Sequence, residues 1–262
     1  MIWFLILAVV LGTVPAHAQS GLPPALRDVG IDQRLNQQIP LDLSFRDENG
    51  RVAPLRDYFG KRPVILSLVY YNCPMLCTLV LNGLLRSMRA MPLNAGQDYD
   101  VVTVSFDPHE TSALAAAKKR SYLERYGRAG ADRGWHFLTG DEPAIQQLTR
   151  AAGFRYKYDP ESKQYIHASA IMVLTPEGRL ANYFYGVEYP TRDLRLALVQ
   201  ASANKIGTPT DQVLLFCFHY DPVTGKYGFA IMNAVRAAGV ATLLGLTWLL
   251  WSLSRRRRQV SW

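Results

Sequence analysis

The chain has 262 residues, a formal net charge of +8 and only three cysteines. Of its 29 cations, Arg236 and Arg255 to Arg258 flank one apolar C-terminal stretch. Removing those five leaves 24 cations against 21 acids, a remainder of about +3 that gives no basis for a nucleic-acid partner. Cys73, Cys77 and Cys217 are too few for a disulfide scaffold, and one close pair is the pattern of redox or metal chemistry.

Residues 1–18 read as an export signal. The apolar core from Met1 to Leu11 is too short to span a bilayer, and Ala16-His17-Ala18 supplies the small-x-small cleavage pattern. No Lys or Arg precedes the core, so an uncleaved anchor and an upstream start are the alternatives. Residues 19–40 are polar with scattered apolar positions and read as an N-terminal arm. Residues 41–205 read as one domain with a full core.

Within that domain Leu41-Asp42-Leu43-Ser44-Phe45 alternates like a strand. It turns at Glu48-Asn49-Gly50 and returns through Val52-Ala53-Pro54-Leu55 as a hairpin. Pro63 to Val69 is apolar throughout, the mark of a buried strand. Asn72-Cys73-Pro74-Met75-Leu76-Cys77 follows, and Thr78 to Met88 then repeats its apolar residues at helical steps. Thiols at a strand-to-helix junction meet backbone N–H groups and a helix dipole that favour thiolate. With a helix starting at or near Cys73, the i and i+4 sulfurs share one face. They could then clamp a soft metal ion or close a disulfide.

Asp100 to Phe106 reads as a second core strand, and Thr111 to Tyr126 as a helix capped by Asp107 or Thr111. Trp135 to Leu138 is a short strand, followed by a helix over Ala144–Ala152. His167 to Leu174 is a strand that turns at Thr175-Pro176-Glu177-Gly178 into Leu180 to Tyr185. A last helix runs from about Thr191 to Ala203. Strands alternating with helices and closing in a hairpin imply an α/β fold, a thioredoxin-like mixed sheet flanked by helices. The cysteines then lie at a strand's C-terminal edge.

Residues 206–228 form a juxtamembrane segment, and 229–253 a transmembrane helix. Its 17 uncharged residues, Ala237 to Leu253, would cover ~25 Å against a ~30 Å hydrocarbon core. Extension to Phe229 adds length and leaves Arg236 to snorkel. Residues 254–262 make a basic tail, which the positive-inside rule places in the cytoplasm with the main domain outside. The expected location is therefore a single-pass inner-membrane protein with its domain in the periplasm.

Cu(I) takes few, soft ligands, and two thiolates with an imidazole suit it. His17 leaves with the signal, His136 reads as a structural strand histidine, and His109 as an exposed loop residue. His167 opens a core strand after the polar turn Asp159 to Lys163, so the sheet would bring it toward Cys73 and Cys77. Near the membrane, Cys217, His219 and Asp221 alternate on one side of an extended segment. They read as linker packing, a second metal-transfer site, or an intermolecular thiol at Cys217.

From Asp42 to Ala203 the chain resembles the Sco family of membrane-anchored copper chaperones for cytochrome oxidase assembly. The resemblance is carried by Asn72-Cys73-Pro74-Met75-Leu76-Cys77 and by Val104-Ser105-Phe106-Asp107-Pro108-His109-Glu110-Thr111. His167-Ala168-Ser169 ahead of the Val-Leu-Thr-Pro-Glu-Gly turn completes it. It implies copper as the bound metal, with Cys73, Cys77 and His167 as ligands and Asp107 orienting the nearby loop. The implied partners are a copper-containing oxidase subunit and another periplasmic copper carrier. A thiol-disulfide oxidoreductase acting on an oxidase subunit would use the same cysteine pair, and a peroxide-reducing redoxin lacks a separate resolving pattern. The chain departs from the family pattern at Ile166, where an acid usually precedes the histidine, and in carrying its anchor at the C-terminus.

Overall fold

The structure is a computed structural model describing residues 28–206, 220–221, 226–227 and 229–258. The chain parts into two compact units between Ile206 and Gly207. The expected signal, Cys217 and His219 lie outside the described residues.

Burial on both faces organises the first unit. Strand β4 (Val64–Val69) and strand β5 (Asp100–Ser105) are buried at every position, as parallel central strands require. They pair in register from Val64 opposite Asp100 to Val69 opposite Ser105. β6 (Trp135–Leu138) adds in parallel beyond β5. β9 (Ala170–Leu174) runs antiparallel to β4, and β10 (Leu180–Tyr185) antiparallel to β9. The order β10-β9-β4-β5-β6 is the expected thioredoxin-like mixed sheet.

Four helices flank it: α1 (Leu76–Ala90), α2 (Ser112–Tyr126), α3 (Glu142–Ala151) and α4 (Thr191–Ser202). Thr111, rather than Asp107, caps α2 by accepting from the Leu114 N–H, and Asp141 caps α3 through Ala144. Gly83 lets α1 pass against the chain at Val187, since an added Cβ would lie 1.9 Å from that carbonyl oxygen. This closeness seats the helix that carries Cys77.

β2 (Ser44–Arg46) and β3 (Val52–Pro54) form the expected hairpin. Asp47 holds its turn by accepting from the Asn49 and Arg51 N–H groups. Two departures matter for the site. Part of the expected N-terminal arm is built into the domain, with β1 (Gly30–Ile31) paired to β7 (Phe154–Asp159) and Ile39 buried. The region after α3 is a hairpin of β7 (Phe154–Asp159) and β8 (Gln164–His167), in a separate three-stranded sheet β1-β7-β8. His167 therefore ends β8 instead of opening the core strand. Ala168 and Ser169 break the expected strand because the chain must cross there from one sheet to the other.

The second unit holds the short antiparallel pair β11 (Tyr220–Asp221) and β12 (Lys226–Tyr227), then α5 (Phe229–Arg258). The helix covers the expected segment and continues through the arginines. Among the described residues, no helix is long and apolar enough to cross a membrane. Arg236 and Arg255 bracket an uncharged run that, taken alone, falls short of a hydrocarbon core.

Candidate metal centre

The site begins where β4 runs out. Beyond Val69 the chain turns, and Tyr71 pins the turn under the sheet. Its hydroxyl donates to the Leu138 carbonyl at 2.7 Å, with the Thr103 carbonyl as a second acceptor at 3.1 Å sharing the same proton. The next N–H groups find no strand partner, and the Glu110 carboxylate takes them instead. It accepts from Tyr71 N at 2.7 Å, Asn72 N at 2.7 Å and the Ser105 hydroxyl at 2.6 Å. Glu110 is buried, and burial raises its pKa against these hydrogen bonds, which favour its charged form.

Cys73 follows in the turn, its N–H donating to the Tyr70 carbonyl. The helix starts three residues later, at Leu76, so Cys73 precedes α1 and does not share a helical face with Cys77. The two sulfurs meet for a different reason. Met75, the residue before the helix, offers no side-chain cap, and the Cys73 sulfur serves as one by accepting the Cys77 N–H at 3.3 Å. The Cys77 sulfur in turn accepts the Tyr70 N–H at 3.3 Å.

This arrangement divides the two thiols. The hydrogen bond from the Cys77 thiol outweighs burial, and the Cys77 N–H adds to it, bringing the Cys73 pKa down to about 4. Burial, then the neighbouring Cys73, pushes the Cys77 thiol far up. The pair is poised as one thiolate and one thiol.

His167 reaches this pair from the β7–β8 hairpin. Its Nε2 lies 3.3 Å from the Cys77 sulfur. Its Nδ1 is 2.8 Å from the Ala168 carbonyl, an oxygen that can only accept, so Nδ1 carries the proton and Nε2 keeps its lone pair. A backbone carbonyl thus orients the ring, and the apolar Ile166 precedes it in the chain. Phe106 at 5.2 Å, Tyr70 at 5.9 Å and Phe154 at 6.1 Å surround the imidazole with aromatic rings.

The donor atoms of Cys73, Cys77 and His167 all lie within 4.8 Å of one another. Two sulfurs and one imidazole nitrogen at that spacing suit a soft ion of low coordination number. Asp107 stands outside this group. It accepts from the His109 N–H at 3.0 Å, from the His109 ring and from the Tyr165 hydroxyl, so it holds the loop after β5. His109 is exposed and His136 lies in β6, neither of them in the donor group. Sequence reasoning missed the hairpin that delivers His167 and the role of Glu110, whose only signal was its place in the Val104 to Thr111 motif.

The SCO1/SenC family model matches residues 31–200, more than half of the chain. The chain belongs to the SCO1/SenC family. No curated protein matches its sequence. A protein of Aquifex aeolicus VF5, described as a proposed electron transfer protein, is 28% identical. That alignment covers 65% of this SCO1/SenC chain and 95% of the other, with a TM-score of 0.57. BsSco is described as having a disulfide switch and as a member of the Sco family of cytochrome c oxidase assembly proteins. It is 20% identical over 67% of this chain and 99% of its own, with a TM-score of 0.52. Arabidopsis thaliana ScoI, solved with copper bound, is 17% identical over 65% and 99%, with a TM-score of 0.50. At those identities the last two bear on the fold alone.

Proposed function

We propose that this chain is a membrane-tethered copper-binding protein that assembles the copper site of a respiratory cytochrome oxidase. The observation that carries this reading is the convergence of Cys73, Cys77 and a correctly oriented His167 Nε2. Copper is the cargo, and the donors fit it as Cu(I): two soft sulfurs, Cys77 losing its proton as the metal binds, and one neutral imidazole in an aromatic collar. Release would follow ligand exchange, with thiolates of the receiving subunit displacing the three donors in turn. The family match supports this reading, which agrees with the copper in the solved ScoI and with the cytochrome c oxidase assembly named in the description of BsSco.

A second reading has its own support. A Cys73 thiolate beside a protonated Cys77 is the asymmetry of an attacking and a resolving thiol, as a thiol-disulfide oxidoreductase needs. The discriminating experiment is an anaerobic Cu(I) competition titration of the reduced chain and of His167→Ala. Copper delivery requires a loss of affinity of well over an order of magnitude in the variant. Full affinity in His167→Ala would favour the oxidoreductase.

The proposed location is the inner membrane with the domain in the periplasm, supported by the signal-like 1–18 and by Arg255 to Arg258 at the end of α5. A periplasm-dependent reporter should work when fused after Ala203 and fail after Trp262. Cys217 and His219 are proposed as a transient copper acceptor beside the membrane. Normal oxidase copper content in cells carrying Cys217→Ser with His219→Ala would return both residues to packing.

A further inference from the structure

A file of tyrosines leads from the buried sulfurs to the protein surface. Tyr158, on β7, is 49% exposed, and its ring centroid is 5.1 Å from that of Tyr165 on β8. Tyr165 lies 5.5 Å from Tyr70 between ring centroids, and the Tyr70 phenol stands beside the Cys73 side chain. Tyr158, Tyr165 and Tyr70 also line one cleft of about 540 Å³ beside Pro74. The sulfurs themselves are covered, Cys73 being 8% and Cys77 2% exposed.

Packing alone would be served by phenylalanine, as it is at Phe106 and Phe154 in the same collar. The hydroxyls have a further property in common. The inner two each face a group able to take a proton: Asp107 Oδ1 lies 3.4 Å from the Tyr165 oxygen, and Tyr70 faces the Cys73 sulfur. A phenol gives up an electron readily only when its proton has somewhere to go. Tyr158, outermost, can release its proton to water.

We propose that Tyr158, Tyr165 and Tyr70 form a relay that carries single electrons from the Cys73 and Cys77 pair to an outer-sphere one-electron oxidant at the cleft. The oxidant takes an electron from Tyr158, whose proton goes to water. Tyr165 refills Tyr158, which regains a proton from water, while the Tyr165 proton moves to Asp107. Tyr70 then refills Tyr165, the Asp107 proton returns, and the Tyr70 proton passes to the Cys73 sulfur. Cys73 returns that proton with an electron to Tyr70 and is left as a thiyl radical. The thiyl bonds to the Cys77 sulfur as the Cys77 proton leaves to His167 Nε2, 3.3 Å away. The resulting disulfide radical anion sends its extra electron out by the same route to a second oxidant. In sum, one thiolate and one thiol become a disulfide, one proton is released and two oxidant molecules are each reduced by one electron.

The relay rests on the redox reading of the cysteine pair in the preceding section, on two free sulfurs that lie within 4.8 Å of each other, and requires no copper. The test uses the reduced, metal-free full-length chain in detergent, with hexachloroiridate(IV) as the one-electron oxidant. Thiol loss is followed by stopped flow, and two-electron exchange with oxidised glutathione is measured in parallel. Tyr158→Phe and Tyr165→Phe should each slow iridate oxidation by at least an order of magnitude and leave glutathione exchange unchanged. Tyr158→Trp should restore the iridate rate, because an indole can be oxidised where a benzene ring cannot. Equal iridate rates in the parent and both Phe variants would overturn the relay. Parallel slowing of glutathione exchange would also overturn it, since the change would then be one of packing. A pair that closes with neither reagent would sink the redox reading of the pair itself.

Discussion

His136 and His167 stand in similar surroundings and have different prospects. Each is a strand histidine against aromatic rings, His136 at 4.7 Å from Tyr58 and His167 at 5.2 Å from Phe106. Each borders a group of ionisable side chains. Around His136 these are Asp47, Glu48 and Lys119, beside a cavity of about 560 Å³ that is slightly larger than the cleft beside the cysteines. Yet its charges are already paired. Glu48 bonds Lys119 and accepts the Phe137 N–H, and Lys119 also donates to the Asp132 carbonyl. Burial, with nearby Lys119, lowers the His136 pKa and keeps the ring neutral. Among the described residues, no cysteine joins it in a donor group. Pocket size and a half-buried histidine therefore do not make a site; two sulfurs and a fixed tautomer do.

The sharpest way to break this comparison is to exchange the roles by mutation. Cys73→Ser or Cys77→Ser should lower Cu(I) affinity in competition titrations by well over an order of magnitude, because each removes a soft donor from a three-donor set. His136→Ala should leave that affinity unchanged and cost on the order of 1 kcal/mol in denaturant unfolding, from lost packing against Tyr58. A drop in copper affinity in His136→Ala would merge the two regions and undo the distinction.

The division between the thiols can be read as a pH profile. With Cys73 held at about 4, its alkylation rate by iodoacetamide should stay flat from neutral pH downward and fall only as pH approaches that value. Cys77 should resist alkylation throughout. The sign for stability follows. The folded Cys73 binds its proton less tightly than the unfolded chain does, so its contribution is complete above the ordinary thiol pKa and is lost as pH falls through about 4. Cys77 acts in the opposite sense, penalising the fold under alkaline conditions.

Glu110 sharpens the comparison from the other side. Glu48 is paired to a lysine, whereas Glu110 holds two backbone N–H groups of the cysteine turn. Glu110→Gln should cost about 1–3 kcal/mol, because one amide arm cannot accept and leaves a buried donor unmet. Denaturant unfolding measures the cost. A shifted midpoint of the Cys73 and Cys77 couple in a glutathione redox titration reports the loosened turn, which an unspecific loss of packing would not move. The smallest expected effect is Thr111→Ala, about 1 kcal/mol from the lost cap of α2, with copper affinity intact.

Local signals in the sequence carried far. The apolar runs at Val64 to Val69 and Asp100 to Ser105 could only be buried strands, and the hairpin at Glu48 to Gly50 was written in turn residues. The cysteine pair was legible as a site because a strand ended before it and a helix began after it. What the sequence alone did not decide is which groups meet there. The helix starts at Leu76 rather than near Cys73, since the capping is done by a sulfur, a group no capping rule anticipates. His167 arrives on a hairpin of a second sheet: the alternation of Phe154, Tyr156 and Tyr158 with Arg155, Lys157 and Asp159 marks its first strand locally, and it is the pairing of that strand to β1, far away in sequence, that the chain order does not reveal. Glu110 meets Tyr71 and Asn72 across 39 and 38 positions of chain. Periodicity and caps are short-range physics and can be read in order along the chain. Donor distances, the tautomer of His167 and the split between two adjacent thiols arise from contacts between distant segments, and only the tertiary structure sets them.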